Sequence, residues 1–140
     1  MRPLPLCSDF SLLHVPFLIH SSQDEERATL RVVFFRTETG NEPVREWLKE
    51  LPPEDCRTVG ADILTVQYSW PVGKPLVGHL GDGTWEVRSR LLNQIARTLF
   101  MLEAQEIVLL HGFIKQQQKT PEKELALARK RKAQYLSDYE

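Results

Sequence analysis

Gly81-Asp82-Gly83-Thr84-Trp85-Glu86-Val87-Arg88-Ser89-Arg90 is the stretch on which the fold turns. Two glycines around an aspartate mark a tight turn, because glycine takes up positive φ without steric cost. Strict alternation follows. Trp85, Val87, Ser89 and Leu91 fall on one side, Glu86, Arg88 and Arg90 on the other. Successive side chains of a strand point to opposite faces, so this is a strand with an apolar back and a charged front. Arginines on such a front fit either a solvated surface or a row that binds phosphates.

Downstream, Gln94–Leu102 places Ile95, Arg97, Leu99 and Met101 on one face of a second strand, and Glu106–Lys115 reads as a third. Connections of two or three residues predict an antiparallel meander. In that arrangement Arg88, Arg97 and Lys115 can converge on one sheet face. Thr120 is the expected N-cap of a last helix, with Pro121 at N1 and Leu125, Ala128, Lys132, Tyr135 and Leu136 on one face.

Upstream, Thr29–Phe35 is rich in β-branched and aromatic residues and reads as a strand. Pro43 suits the first turn of a helix whose apolar stripe is Val44, Trp47, Leu48 and Leu51. Pro52-Pro53 ends it. Glu54-Asp55 suits the positive end of a second helix, with Cys56, Val59, Ile63 and Leu64 along its stripe. The expected order is β-α-α-β-β-β-α, an α+β domain with helices against one face of a small, mostly antiparallel sheet.

The chain has 140 residues, which suits one domain with one core. Residues 29–140 carry the pattern. Residues 1–28, with prolines at 3, 5 and 16, read as an irregular extension outside the domain. Asp9 and His14 interrupt its apolar run and no small-residue cleavage site follows, which argues against a secretory signal. No apolar run is long enough to span a bilayer. Cys7 and Cys56 lack metal-ligand spacing and a disulfide framework, so Cys56 is expected to be a small apolar residue on a helix face in a reducing cytoplasm. The net charge of −1 is uninformative, but its distribution is not. Residues 1–70 hold 7 Lys/Arg against 11 Asp/Glu, and residues 71–140 hold 11 against 8. A basic half can mark a polyanion-binding surface.

The basic residues of that half are Lys74, Arg88, Arg90, Arg97, Lys115, Lys119 and Lys123, followed by the run Arg129–Lys132. Fixed cations suit phosphodiester cleavage, because negative charge builds on the non-bridging oxygens as a 2′-hydroxyl attacks. A base must take the hydroxyl proton and an acid must protonate the leaving oxygen. His79, His111, a lysine or a tyrosine could serve. Each has a plainer reading. Arg88 and Arg90 fit a solvated strand face, His111 a core histidine with a satisfied hydrogen bond, Arg129–Lys132 a solvated helix face, and Tyr135 packing.

Several short motifs recur together in one order. Phe34–Gly40 and Pro43–Leu48 resemble the opening strand, loop and helix of the RelE/HigB superfamily of toxins from type II toxin–antitoxin systems, in its phage-derived, HigB-like branch. Lys74-Pro75-Leu76, Leu80–Arg88 and Arg97–Phe100 resemble its strands. Leu109–Lys115, Lys119-Thr120-Pro121 and Ala126-Leu127-Ala128 resemble its last strand and helix. The similarity covers about residues 30–137.

The resemblance implies a compact ribonuclease fold that cleaves mRNA on the translating ribosome with no metal or other cofactor. It also implies a cognate antitoxin, commonly a helix-turn-helix protein, with operator DNA bound only through the toxin–antitoxin complex, and no membrane partner. Arg88 matches the strand arginine that contacts the scissile phosphate, Lys115 the basic residue ending the last strand, and Lys74 and Lys119 positions that are often basic. Arg97 matches an arginine that is either phosphate-binding or structural, pairing with a carboxylate such as Glu86. Arg90 lies on the same charged front without a family match. Gln116 and Phe100 depart from the pattern, which often has Lys and Tyr there, and neither Tyr135 nor Tyr139 matches the C-terminal tyrosine of RelE-type members. The general base is therefore not assigned by the resemblance. The competing reading, from another class, is a non-catalytic RNA- or protein-binding module with a basic sheet face.

Overall fold

The computed structural model describes residues 30–115 and 120–138. The expected 1–28 extension, Cys7, Lys119 and Tyr139 lie outside the described residues. In order, the elements are β1 (Arg31–Phe34), α1 (Pro43–Glu50), α2 (Pro53–Ser69), β2 (Val77–Gly81), β3 (Thr84–Arg90), β4 (Ile95–Glu103), β5 (Glu106–Lys115) and α3 (Glu122–Asp138). The class is α+β, as expected. Prolines open α1 and α2, where a missing backbone N–H leaves nothing unsatisfied.

The strands form one mixed sheet in the order β1-β5-β4-β3-β2. β2 through β5 run antiparallel and β1 joins β5 in parallel. β2 is the element the sequence reading passed over. Gly78, His79 and Gly81 give it low strand propensity and no clean alternation, and it forms only by pairing with β3. The Gly81-Asp82-Gly83 turn is real, with φ of 97°, 55° and 69°, and it closes the β2–β3 hairpin.

Helices cover both faces of the sheet, which corrects the expectation of a single covered face. α1 and α2 pack on the face that presents Val32, Phe34, Val87, Ala96, Phe100, Ile107 and Leu109. α3 packs on the other, where Leu99, Met101, Val108, Leu110 and Phe113 meet Ala128 and Tyr135. The reason lies in β4 and β5. Their residues are apolar on both sides, and an antiparallel sheet buried on both faces needs a layer on each. The charged front of β3 lies beside the segment that enters α3, where Thr120 reaches Glu86, and is only partly open to solvent.

Two close approaches lock the layers. On the α1 side, the Trp47 indole lies flat over Gly112, where a Cβ would come within 2.2 Å of Cε3. On the α3 side, Lys132 donates to the carbonyl of Asp82, and Arg129 lies 3.7 Å from the Asp82 carboxylate. The basic run of α3 thus holds the β2–β3 turn, with Arg131 donating to the Leu110 carbonyl at 2.8 Å. Cys56 is buried on the apolar stripe of α2, as expected, but its sulfur is disulfide-bonded, which the sequence reading did not anticipate. No helix among the described residues is long and apolar enough to cross a membrane.

Candidate functional site

The site is built on one carboxylate. Glu86 sits in the middle of β3 on the α3 face and is 1% exposed. Its oxygens accept from Arg97 Nη1 at 3.0 and 3.1 Å, from Arg88 Nε at 2.7 Å and from Thr120 Oγ1 at 2.8 Å. Strand geometry brings these groups together. Arg88 follows Glu86 by two residues and so shares its face. Arg97 stands opposite Arg88 in the β3–β4 register. Thr120 comes from the segment that enters α3, and its hydroxyl donates to Glu86. A buried carboxylate is tolerated only when paired and hydrogen-bonded, and here three donors from three segments meet that need.

The two arginines differ in what they leave exposed. Arg97 is 3% exposed and enclosed in the core beside Phe113 of β5. The Arg88 side chain is 33% exposed. Its Nε is spent on Glu86, and its Nη groups have no hydrogen-bond partner among the described residues. The guanidinium lies against Gly78, the β2 residue paired with Glu86, where a Cβ would come within 2.4 Å of Nη2.

The remaining sequence-derived candidates spread around this centre. Arg90, exposed, ends β3 opposite Ile95, which in turn pairs with Lys115 of β5. Arg90 and Lys115 are thus one row beyond Arg88 and Arg97 at the same end of the sheet. Lys74 is exposed in the turn before β2, two residues from Leu76, whose carbonyl accepts from the Arg88 N–H at 2.8 Å. Lys119 lies outside the described residues.

The histidines separate from one another. His79 is exposed and packs on Trp85 with ring centroids 4.2 Å apart, on the sheet face opposite Arg88. His111 lies on the α3 face. Its Nε2 is 2.5 Å from Glu124 Oε1, and Arg131 Nη1 is 3.4 Å from its Nδ1. Because a guanidinium only donates, Nδ1 is the acceptor and the proton sits on Nε2, toward Glu124. This is the satisfied histidine that the sequence suggested. Burial pushes the Arg131 guanidinium below its usual range. Tyr135 is 7% exposed and donates to Glu106 Oε1 at 2.7 Å, so its hydroxyl holds α3 to β5.

Thr120 is the residue of this cluster that sequence reasoning assigned otherwise. Nothing local in the sequence connects it with Glu86, which lies 34 residues away. Gly78 is likewise silent in the sequence, since a single glycine before a turn carries no signal of the side chain that will lie on it.

A family model described as phage-derived protein Gp49-like (DUF891) matches residues 46–133. The chain belongs to the Gp49-like family. That family is part of the RelE/HigB-like toxins, so the protein is of a toxin type associated with toxin–antitoxin systems. The matched span runs from α1 into the second half of α3. It takes in Gly78, Glu86, Arg88, Arg97 and Thr120, the whole of the cluster that organises this Gp49-like domain. No curated protein sequence matches the chain.

Proposed function

We propose that this Gp49-like protein is a HigB-like toxin that cleaves mRNA on the ribosome, stops translation and growth in the cytoplasm, and is neutralised by a helix-turn-helix antitoxin. Operator DNA enters only through the toxin–antitoxin complex. The reaction in this reading is attack of a 2′-hydroxyl oxygen on the adjacent phosphorus, which closes a 2′,3′-cyclic phosphate and breaks the P–O5′ bond. A base takes the hydroxyl proton, an acid protonates the departing 5′-oxygen, and Arg88 stabilises the charge that develops on the non-bridging oxygens. No metal is assigned a step. Lys74 and Lys115 would add positive potential near the same phosphate, and Arg90 and Lys119 would hold flanking phosphates. Arg97, turned into the core, would act on Glu86 and not on RNA.

One observation supports this most: a guanidinium anchored through Nε, with both Nη groups unengaged among the described residues and one third of the side chain exposed. Arginine in that state presents two parallel N–H donors, which match a phosphate bidentately. Induced expression should arrest growth, and Arg88→Ala should relieve the arrest at equal protein level. New mRNA 5′ ends should appear on induction. Arrest without new ends would instead favour a non-catalytic binding module, and a fully toxic Arg88→Ala variant would remove Arg88 from the site.

A further inference from the structure

We infer that Gly78 and Glu86 form a seat that fixes the plane of the Arg88 guanidinium, so that both are positioning residues for anion binding at this site. The inference rests on the reading of Arg88 as the phosphate-binding group. It goes beyond that reading by saying what makes this arginine, among the exposed cations of the sheet, suited to the task.

Three observations carry it. First, a free arginine has rotamer freedom to lose on binding. Arg88 has lost much of it in advance, because Nε is held at 2.7 Å by a carboxylate that is itself immobile and 1% exposed. Second, Glu86 does not cancel the positive charge of Arg88. Arg97 contacts both Glu86 oxygens, leaving two guanidiniums on one carboxylate and a net positive cluster. Third, the other side of the guanidinium is bounded by the β2 backbone at Gly78. Any Cβ there would meet Nη2 at 2.4 Å and Cζ at 3.0 Å. Gly78 has no positive φ, so its backbone would accept alanine. The obstacle to a side chain is Arg88 itself. Glu86 and Gly78 are cross-strand partners, so the β2–β3 register sets the width of the seat.

The seat explains a division of labour. A guanidinium gripped at Nε can offer only its Nη edge, and it offers that edge in one direction. Preorganised donors aimed at developing charge need no reorganisation during the reaction, and misplacement by about 1 Å can cost on the order of 100-fold in rate. Arg90 is exposed on the same face without such a hold.

The test compares the wild type with Gly78→Ala, Glu86→Gln and Arg88→Ala, with folding checked by thermal melting. On ribosome-bound mRNA, Gly78→Ala and Glu86→Gln should lower kcat about 10- to 100-fold with KM little changed, since ribosome docking is untouched. A reading free of catalysis comes from the Arg88 Nε–H proton in NMR spectra. It should exchange slowly in the wild type and fast in Glu86→Gln, with the exposed Arg90 as the fast reference. The melting temperature should fall for Gly78→Ala in the wild-type background and not in the Arg88→Ala background. Wild-type kcat in Gly78→Ala, or a fast Arg88 Nε–H in the wild type, overturns the seat. A wild type that cleaves nothing while the Arg88 Nε–H is protected sinks the nuclease reading and leaves the seat standing.

Discussion

Arg88 and Arg97 stand directly opposite each other on β3 and β4 and hold the same carboxylate, yet one is 33% exposed at its side chain and the other 4%. Placing like charges as cross-strand partners is ordinarily unfavourable. Glu86 reverses that, and the pair becomes a divided unit with an inner, structural arginine and an outer, available one. The division yields a stability prediction. Arg97→Ala leaves Glu86 buried with less compensation and should destabilise by about 3–5 kcal/mol, the usual cost of breaking a buried pair. Arg88→Ala leaves Arg97 and Thr120 on Glu86 and should cost far less. Urea denaturation of the two variants checks this; equal losses would mean that the two arginines are not divided as described.

A second prediction concerns Trp47 and Gly112. The indole covers the β5 backbone so closely that a Cβ at Gly112 would lie 2.2 to 2.7 Å from three ring carbons. Neither a flat indole nor a central strand yields easily. Gly112→Ala should therefore behave as an overpacking substitution and cost about 1–3 kcal/mol. Replacing Trp47 by leucine in the same chain should recover part of the loss. Melting curves of the single and double variants measure the coupling, and strictly additive effects would contradict it.

The fold was largely legible in the sequence because its signals are local. The i, i+3, i+4, i+7 stripe of α1, the Pro-Pro break and the alternation of β3 each arise within about ten residues. β2 escaped because its pairing with β3, not its own residues, makes it a strand. The second helical layer escaped for a related reason. In the sequence Glu86, Arg88 and Arg90 fit either a solvated front or a phosphate-binding row, and nothing local signals that Thr120 will reach the first of them. At the site, the pairing of Arg97 with Glu86 is an expectation carried by the family resemblance, not by the strand pattern itself. The contacts made by Thr120, Gly78 and the basic run of α3 could not be anticipated, since they depend on how α3 and β2 settle across the sheet.

Acid titration supplies a third prediction. Burial raises the Glu42 carboxyl, but the hydrogen bond and charge of Arg45, with Arg36 beside it, outweigh burial and hold it below its ordinary 4.5. The stabilisation from Glu42 is therefore present above that value and is lost as pH falls through the lowered folded value. Asp62 on α2 behaves in the opposite sense. Burial raises its carboxyl above 3.8, so its contribution is present below that value and is lost as pH rises through the raised folded value. Urea midpoints taken from neutral into the acid range should fall less in Glu42→Gln than in the wild type. In Asp62→Asn they should fall more. Parallel curves for all three proteins would contradict both assignments.

The last prediction concerns how α3 is held over the site. Its middle turns grip the β2–β3 turn through Lys132 on the Asp82 carbonyl and Arg129 near the Asp82 carboxylate. The carboxylate contact is exposed and 3.7 Å long, so Asp82→Asn should change stability by no more than about 1 kcal/mol. The backbone contact should matter more, because it ties a helix to a turn built from three positive-φ residues. Lys132→Ala should loosen that turn, seen as faster amide exchange at Gly81 and Gly83 with little change at the β4–β5 centre. If Lys132→Ala instead lowers protection evenly across the sheet, the contact supports the whole fold and not this end of it. If it changes nothing at the turn, the basic run of α3 is a solvated face after all, as its sequence alone had suggested.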